Sequence, residues 1–339
     1  MTSESGPREE AKLGAAAGRE PTSAAPADAT EPTVSPAWSA VLSALARLPQ
    51  GALSRGAGRV ADAPIPRPMR RSVLTAFARI VGIDLSEVER PLEDYRSIGD
   101  FFVRRLRADA RPWPRDDGVI ASPVDGVIGQ LGPIERGRAL QAKGRDYSVA
   151  ELLGDADAGE RYRAGHFVTI YLSPRHYHRI HAPCGGRITR ARHIPGALLP
   201  VNAAAVHSIA DLFARNERLV CWIDGPAGEV AVVAVGAYNV GRIGASFERL
   251  QHAAAHGSAQ DRRPTWRTNV RGAPGETRGY APPIALEQGD EIMAFHLGST
   301  VVLLFEPGRI QLEPTLAPGA EVRAGSVIGR TTHSNERSA

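Results

Sequence analysis

From about Val119 onward, short runs of β-branched residues alternate with turns that contain glycine or proline. Such runs favour extended backbone, and turns this closely spaced leave little room for long helices. We therefore predict an α+β fold in which residues 111–330 form a β-rich body resembling a barrel or a sandwich. The clearest strand runs are 126–129, 166–172, 230–235 and 300–305, and short helices are expected around 152–153 and 210–215.

The two ends of the chain differ from this body in composition. Residues 1–34 are mostly Ala, Pro, Glu, Ser and Thr, with too few large apolar side chains to offset the entropy lost on ordering. We expect 1–34 to be a disordered polar tail and 331–339 a second polar tail. We expect neither a signal peptide nor a transmembrane helix, because the sequence contains no suitable apolar run.

Residues 35–110 have the apolar spacing of short amphipathic helices. The first begins at Ser35-Pro36 and ends at Pro49, the second spans about 68–81 and stops before Gly82, and a third lies around 97–106. The apolar stripes consist of Trp38, Val41, Leu42, Leu45 and Leu48 in the first helix and of Val73, Leu74, Phe77, Ile80 and Val81 in the second.

Positive charge is concentrated on this helical region. Residues 41–80 contain seven arginines and one acidic residue, Asp62, in a chain whose net charge is +4. A basic amphipathic segment attracts phosphate groups, either of anionic lipid or of nucleic acid. Because no nucleic-acid recognition motif accompanies the arginines, the functional interpretation is an anchor at a membrane surface. Ordinary helices packed on the core, with solvated arginines, are the alternative.

Three histidines lie within six residues, His176, His178 and His181. Histidine suits acid–base chemistry near neutral pH. If the segment is extended, His176 and His178 share one face and His181 points to the other. A structural role in a turn is also open, whereas a metal site is not expected because no acidic ligand motif such as HExxH is present. The two cysteines, Cys184 and Cys221, form no CxxC pair and predict reduced thiols.

Two dipeptides carry candidate chemistry. Asp125-Gly126 is a carboxylate next to a turn residue, although Asp-Gly is also ordinary turn chemistry. Gly298-Ser299 has small neighbours, so the hydroxyl could approach the preceding carbonyl for an N→O acyl shift. Alternatively, Ser299 is a conventional nucleophile in a triad with a histidine and Asp125, or simply a strand end, since no GxSxG motif surrounds it. No dinucleotide or P-loop motif occurs.

An ordered set of motifs over about residues 38–312 resembles the phosphatidylserine decarboxylase family, in its bacterial membrane-associated, pyruvoyl-dependent form. The single string at 297–300 is not specific, but the set in this order is. Its main pieces are Phe101 to Leu106, Asp125-Gly126, Leu140 to Gly144, Tyr177-His178-Arg179-Ile180-His181, Phe213 to Arg218, and Leu297-Gly298-Ser299-Thr300.

The resemblance implies a self-processing proenzyme. Ser299 would attack the Gly298 carbonyl, with His181 as the base oriented by Asp125. The chain would break into a β chain, 1–298, and an α chain, 299–339, whose first residue becomes a pyruvoyl cofactor. Phosphatidylserine would then lose CO2 through a Schiff base with this group and yield phosphatidylethanolamine, as in phospholipid biosynthesis. His178 would position the carboxylate or deliver the replacement proton.

The resemblance also implies partners. They are phosphatidylserine in the bilayer, an anionic membrane surface bound by the helices of 36–81, the chain's own α and β pieces, and a second copy in a homodimer. No nucleic acid is expected, and the location is the cytoplasmic side of the cell membrane, bound peripherally. Three alternatives are a Ser-His-Asp hydrolase that stays one chain, a lipid-binding scaffold that never matures, and a pyruvoyl decarboxylase of a soluble amino acid.

Overall fold

The computed structural model describes residues 59–237, 243–250, 266–268, 274–296 and 299–332. They belong to one of the two units into which the chain divides, Val34–Ala339. The predicted tail at 1–34 and the predicted first helix lie outside the described residues, as do residues 333–339. Thr331, which we assigned to the C-terminal tail, is buried in the last strand.

The predicted α+β class is confirmed, with a strand-rich body behind short helices. The helices are α1 (Arg67–Val81), a 3₁₀ turn (Leu92–Asp94), α2 (Ile98–Phe102), α3 (Val149–Leu153), α4 (Ala156–Arg161), α5 (Ala203–Ser208) and α6 (Leu212–Arg215).

All four predicted strand runs lie in strands. The strands are β1 (Val119–Ala121), β2 (Gly126–Pro133), β3 (Arg138–Ala142), β4 (Arg145–Ser148), β5 (His166–Leu172), β6 (Arg179–His181), β7 (Gly186–Ile194), β8 (Arg218–Gly225), β9 (Gly228–Val235), β10 (Ile243–Ala245), β11 (Trp266–Arg267), β12 (Glu276–Leu286), β13 (Glu291–Phe295), β14 (Ser299–Phe305), β15 (Ile310–Leu312), β16 (Glu321–Val322) and β17 (Val327–Thr331).

An eight-stranded antiparallel sheet organises the body, in the order β12-β7-β8-β9-β14-β5-β2-β16. Within the described residues its edge strands β12 and β16 do not pair with each other, so this sheet does not close into a barrel. β14 lies inside it, hydrogen-bonded to β5 on one side and to β9 on the other. A smaller sheet, β11-β10-β13-β6, supplies the strand that carries His181.

Both faces of the large sheet are covered, because alternate residues of β14 enter two different cores. Val301 and Leu303 pack in a cluster with Ile180 of β6 and Phe295 of β13. The opposite face packs in a second cluster with the small helices and the β3–β4 hairpin. Its members include Val302, Leu304, Tyr147, Leu152 and Phe213. This layering resembles the sandwich alternative of our prediction.

Helix α1 confirms the predicted second helix, and Gly82 ends it in the left-handed conformation with φ of 80°. Its buried stripe is Leu74 and Ala78, four residues apart. Our placement of Ile80 on this stripe was wrong, since Ile80 is 83% exposed. It lies six residues after Leu74, a spacing that puts it on another side of the helix. No helix among the described residues has both the length and the apolar character needed to span a bilayer.

Helix α2 is shorter than predicted. The Ser97 hydroxyl accepts a hydrogen bond from the backbone N–H of Asp100 and caps its start. The helix ends at Phe102 instead of continuing to Leu106, because Leu106 pairs with Val88 in an isolated β-bridge. The chain therefore leaves the helix just before Arg104.

Candidate active site

Ser299 is the first residue of the central strand β14. It lies opposite Leu172, the last residue of β5, in the antiparallel register. Gly298, the other half of the predicted cleavage site, lies outside the described residues. The backbone of Ser299 is therefore next to the turn that follows β5, which is the turn that carries the histidine cluster.

That turn is folded rather than extended. The backbone N–H of Ser173 donates to Nδ1 of His176 at 2.9 Å, and the carbonyl oxygen of His176 lies 2.8 Å from Nδ1 of His178. Extended backbone begins only at Arg179. The shared face that we expected for His176 and His178 required extended backbone, and that condition does not hold, because the segment makes a turn stabilised by its own histidine.

His178 is fully buried against the ring of Phe102, with the ring centroids 4.1 Å apart. Since Nδ1 faces a carbonyl oxygen, Nδ1 carries the proton and Nε2 has the free lone pair. Nε2 is buried and has no hydrogen-bond partner among the described residues. Burial lowers the pKa of His178 to about 3, so the ring is neutral at neutral pH.

His181 has partners at both ring nitrogens. Nδ1 lies 2.7 Å from the carbonyl oxygen of Gly289, and Nε2 lies 3.2 Å from the hydroxyl of Tyr177. The first contact assigns the proton to Nδ1, so Nε2 is the basic atom. Burial lowers the pKa of His181. Gly289 has φ of 91° and a Cβ there would lie 2.7 Å from the ring of Trp113, which itself packs on His181.

Asp125 is 6% exposed and its carboxylate is fully engaged. Arg111 donates from Nε at 2.8 Å and from Nη2 at 2.6 Å, and the backbone N–H of Ala324 donates at 2.9 Å. A Cβ on the following residue, Gly126, would lie 2.6 Å from a methyl group of Ile170. The Asp-Gly pair is therefore required by close packing against β5 as well as by turn geometry.

The structure does not bring Asp125 onto the ring of His181. We predicted that Asp125 orients His181, but Arg111 occupies the carboxylate, while Gly289 and Tyr177 occupy the ring. The two segments are adjacent only through the backbone, where the N–H of His181 donates to the carbonyl oxygen of Pro123 at 2.9 Å. In this arrangement, Asp125 acts on the loop beside His181 and not on its imidazole.

Glu291 is a largely buried carboxylate, with 13% of its side chain exposed, that sequence reasoning missed. It accepts from Arg179 at 2.6 Å, from Arg105 at 2.8 Å and from the Ser246 hydroxyl at 2.9 Å. Burial alone would raise the Glu291 pKa, but the two arginines outweigh it and the pKa lies below its usual range. Only Arg105 and Arg179 had a signal in the sequence, since they lie in the motifs 101–106 and 177–181.

Arg104 was missed as well, although it lies in the same motif. It is 3% exposed, and its Nη2 donates to the carbonyl oxygens of Arg175 and His176 at 3.1 and 3.3 Å. Arg104 and His178 therefore share the His176 carbonyl.

A mostly apolar cavity of about 220 Å³ lies against the residue after Ser299. Its lining includes Thr300, Tyr171 and Phe213. The cavity extends along β2 and β5 to helix α5 and touches β14 only at Thr300, so the start of β14 has concave space beside it.

The described residues contain no group of three His, Cys, Asp or Glu side chains placed to hold a metal ion. Cys184 and Cys221 are buried free thiols, as the spacing predicted. The candidate site is thus a set of histidines, arginines and carboxylates around the start of β14.

Comparison with known proteins gives one consistent result. The family model for phosphatidylserine decarboxylase matches residues 98–330. A phosphatidylserine decarboxylase proenzyme of Anaeromyxobacter sp. (strain K) is 46% identical over 288 residues, which are 85% of this chain and 97% of that protein. The proenzymes of Myxococcus xanthus (strain DK1622) and Azotobacter vinelandii are 42% and 41% identical, each over 84% of this chain and 96% of theirs. The chain belongs to the phosphatidylserine decarboxylase family.

Proposed function

We propose that this chain is a self-processing decarboxylase that converts phosphatidylserine to phosphatidylethanolamine and CO2. The observation that carries the proposal is the position of Ser299. It begins a central strand, opposite the residue that leads directly into the turn of His178. All of these residues lie within the matched region 98–330.

Processing would use Ser299 and His181. The Ser299 hydroxyl attacks the Gly298 carbonyl carbon and the peptide becomes an ester. Elimination then breaks the chain into 1–298 and 299–339, and the dehydroalanine left at 299 takes up water and loses ammonia to give the pyruvoyl group. The Nε2 lone pair of His181 is the candidate base, and it now accepts from the Tyr177 hydroxyl. Asp125, held by Arg111, fixes the loop whose Pro123 carbonyl binds the His181 backbone.

The surroundings fit a pyruvoyl group at Ser299, because Nε2 of His178, a buried polar atom without a partner among the described residues, lies on the adjoining turn. Its ketone would supply an electron sink for the carbanion left when CO2 departs. A neutral His178 accepts a hydrogen bond at Nε2 but has no proton there to give. With its lone pair at Nε2, His178 can neither give the replacement proton nor bind the substrate carboxylate, the two roles that we predicted for it; it can position the substrate by accepting a hydrogen bond from an N–H group.

We propose a peripheral location on the cytoplasmic side of the cell membrane, and helix α1 supports the contact with a membrane surface. Its exposed surface carries Met69 and Ile80, and Val60 just before it is 75% exposed. Arg67, Arg71 and Arg79 on the same helix are also exposed. Large apolar side chains beside arginines suit the boundary between acyl chains and anionic headgroups. The homodimer stays a prediction, which molar mass in solution would test.

The experiment is the intact mass of the purified protein under denaturing conditions, for the wild type and for Ser299→Ala. We expect a fragment 299–339 with a pyruvoyl end in the wild type, and a single chain in the variant. Ser86→Ala, which removes an exposed hydroxyl bonded to Asp84, is the matched control and should be cleaved normally. An unbroken chain in active wild-type protein would contradict the proposal and favour the hydrolase alternative.

A second measurement addresses the substrate. Wild-type enzyme should release CO2 from phosphatidylserine vesicles and lose this activity with a carbonyl reagent such as hydroxylamine. Inhibition by a serine-directed reagent with no effect of hydroxylamine would instead indicate an ordinary nucleophilic serine.

A further inference from the structure

Arg104 is a buried cation with unused hydrogen-bonding capacity. Its Nε and Nη1 are buried and have no hydrogen-bond partner in the described parts of the chain. The guanidinium carbon lies 5.6 Å from the centroid of the Phe101 ring, and no carboxylate of the described residues forms an ion pair with it. A buried charge without a counter-ion is costly, and a buried donor without an acceptor adds to that cost. Such an atom in a folded protein requires an explanation.

Arg218 shows how this chain satisfies a purely structural buried arginine. It is 4% exposed, close to the 3% of Arg104. Its Nε donates to the carbonyl oxygen of Leu152 at 2.6 Å, Nη1 to that of Asn216 at 2.8 Å and Nη2 to that of Glu151 at 2.5 Å. Each of its three nitrogens has an acceptor, whereas only one nitrogen of Arg104 does.

The charge of Arg104 is not neutralised by the nearest carboxylate network. Asp125 acts on it only at a distance, because the oxygens of Asp125 are taken by Arg111 and by the Ala324 N–H. Burial lowers the pKa of Arg104 to about 10, which still leaves the guanidinium charged at neutral pH. The site therefore holds a positive charge in surroundings where a charged hydrogen bond is strong.

An unpartnered acceptor lies beside these unpartnered donors. Nδ1 of His178 and Nη2 of Arg104 both bind the carbonyl oxygen of His176, and Nε2 of His178 is buried without a partner in the described residues. The turn that carries His176 and His178 continues from Leu172, opposite Ser299. Two free N–H donors on a cation next to a free imidazole lone pair match a ligand with an anionic oxygen and an ammonium group.

We propose that Arg104 and His178 form the binding site for the zwitterionic headgroup of the substrate, with Arg104 on an anionic oxygen and His178 Nε2 on the ammonium. The proposal rests on the proposed function and names a binding residue for it, Arg104. The anionic oxygen could belong to the carboxylate or to the phosphodiester, since a guanidinium binds both in the same way.

The test is direct binding, measured by calorimetry on mature enzyme whose ketone has been reduced with borohydride, so that no probe can react. The two probes are glycerophosphoserine and glycerophosphoethanolamine, which share the amine and the phosphodiester and differ in the carboxylate. We compare the wild type with Arg104→Gln. The matched control is Arg218→Gln, which removes an equally buried arginine whose nitrogens are all satisfied.

We expect Arg104→Gln to weaken binding by about 10- to 100-fold, the effect of losing a charged hydrogen-bonding partner. A loss for both probes assigns the phosphodiester, and a loss confined to glycerophosphoserine assigns the carboxylate. Arg218→Gln should lower the melting temperature and leave the affinity of the folded protein unchanged. No measurable binding by the wild type, or equal affinities in the wild type and Arg104→Gln, would overturn the proposal and make Arg104 a hydrated structural residue.

If Arg104→Gln does not mature, Arg104→Lys replaces it in this comparison, because lysine keeps the positive charge but lacks the planar set of N–H donors of arginine. The affinity of Arg104→Lys for the probes should fall by about tenfold. The two proposals fail in different ways. Without fragment 299–339 and CO2 release in the wild type, the proposed function is wrong. With both present and Arg104 variants that bind like the wild type, only the headgroup site is wrong.

Discussion

One guanidinium group, that of Arg111, holds both carboxylate oxygens of Asp125, at 2.8 Å from Nε and 2.6 Å from Nη2. Both side chains are 9% exposed, and Nη2 also reaches Glu87 at 2.9 Å. Burial would lower the Arg111 pKa, but these carboxylates outweigh it and raise the pKa above its usual value. The family carboxylate is thus fixed by a residue from the segment before β1.

Breaking this pair should be costly. Arg111→Ala leaves Asp125 as a buried charge without its partner, so we expect the free energy of unfolding to fall by about 3–5 kcal/mol in urea titrations. Arg330→Ala removes an arginine from an exposed pair with Asp116 and should cost no more than about 1 kcal/mol. If the free energy of unfolding fell equally in the two variants, the buried pair would contribute no more to stability than the exposed pair does.

Stability should fall in acid because of His178. Its folded-state pKa of about 3 lies below the value of about 6.5 for an unfolded histidine. Between these values the unfolded chain binds a proton that the folded chain excludes. The free energy of unfolding therefore has its full value above about pH 6.5 and decreases below that pH by about 1.4 kcal/mol per pH unit.

His178→Gln should remove this contribution and flatten the pH dependence between about pH 6 and 4, measured by urea unfolding. The partly exposed His207, changed to Gln, controls for the loss of an imidazole. An identical slope in the wild type and His178→Gln would contradict the prediction. His181, whose pKa burial also lowers, acts in the same direction in both proteins.

Vesicle binding should depend on the exposed apolar side chains near α1. We expect Ile80→Asp to reduce partitioning onto vesicles of phosphatidylglycerol and phosphatidylcholine by about tenfold or more, because a buried large apolar side chain is worth about 1.5–3 kcal/mol. Leu140→Asp, at an exposed leucine on the β3–β4 hairpin, is the matched control and should bind normally. A vesicle affinity of Ile80→Asp equal to that of Leu140→Asp would remove α1 from the membrane surface.

The two thiols should be unreactive in the folded protein. Cys184 and Cys221 are buried, and burial raises the Cys184 pKa to about 12 and the Cys221 pKa further. Ellman's reagent at about pH 8 should modify neither thiol in native protein and both in denaturant. Rapid native modification would show that one of the thiols is reachable. Loss of decarboxylation on brief treatment with a thiol reagent would also show that a thiol is accessible in the native protein.

The strands were predictable because their local sequence favours extended backbone. β5, β9 and β14 are runs of β-branched and aromatic side chains, and both faces of their sheet are buried. The helix α1 was predictable from spacing and from Gly82. The direction of Ile80 was not, because an amphipathic pattern does not say which of two apolar edges meets the core.

The contacts of the site were beyond sequence reasoning. Glu291 and Arg105 are 186 positions apart, and their pairing depends on how β13 and the α2 segment pack together. The partner of Asp125 was likewise a choice between several cations, and only the fold selects Arg111. The family motifs identified Asp125, His178, His181 and Ser299 as candidates, but the partners of their side chains follow from tertiary structure.

The central position of β14 in the sheet determines how the two fragments associate and refold after cleavage. A chain cut before Ser299 leaves a fragment whose first strand is hydrogen-bonded on both sides by the other fragment. The same fragment carries β16 and β17, which pair with β2 and β1. The pieces should stay together without a covalent link, but once separated they must find each other by a bimolecular encounter. Before maturation, folding would involve a single chain. After maturation, refolding would require two separate fragments to associate.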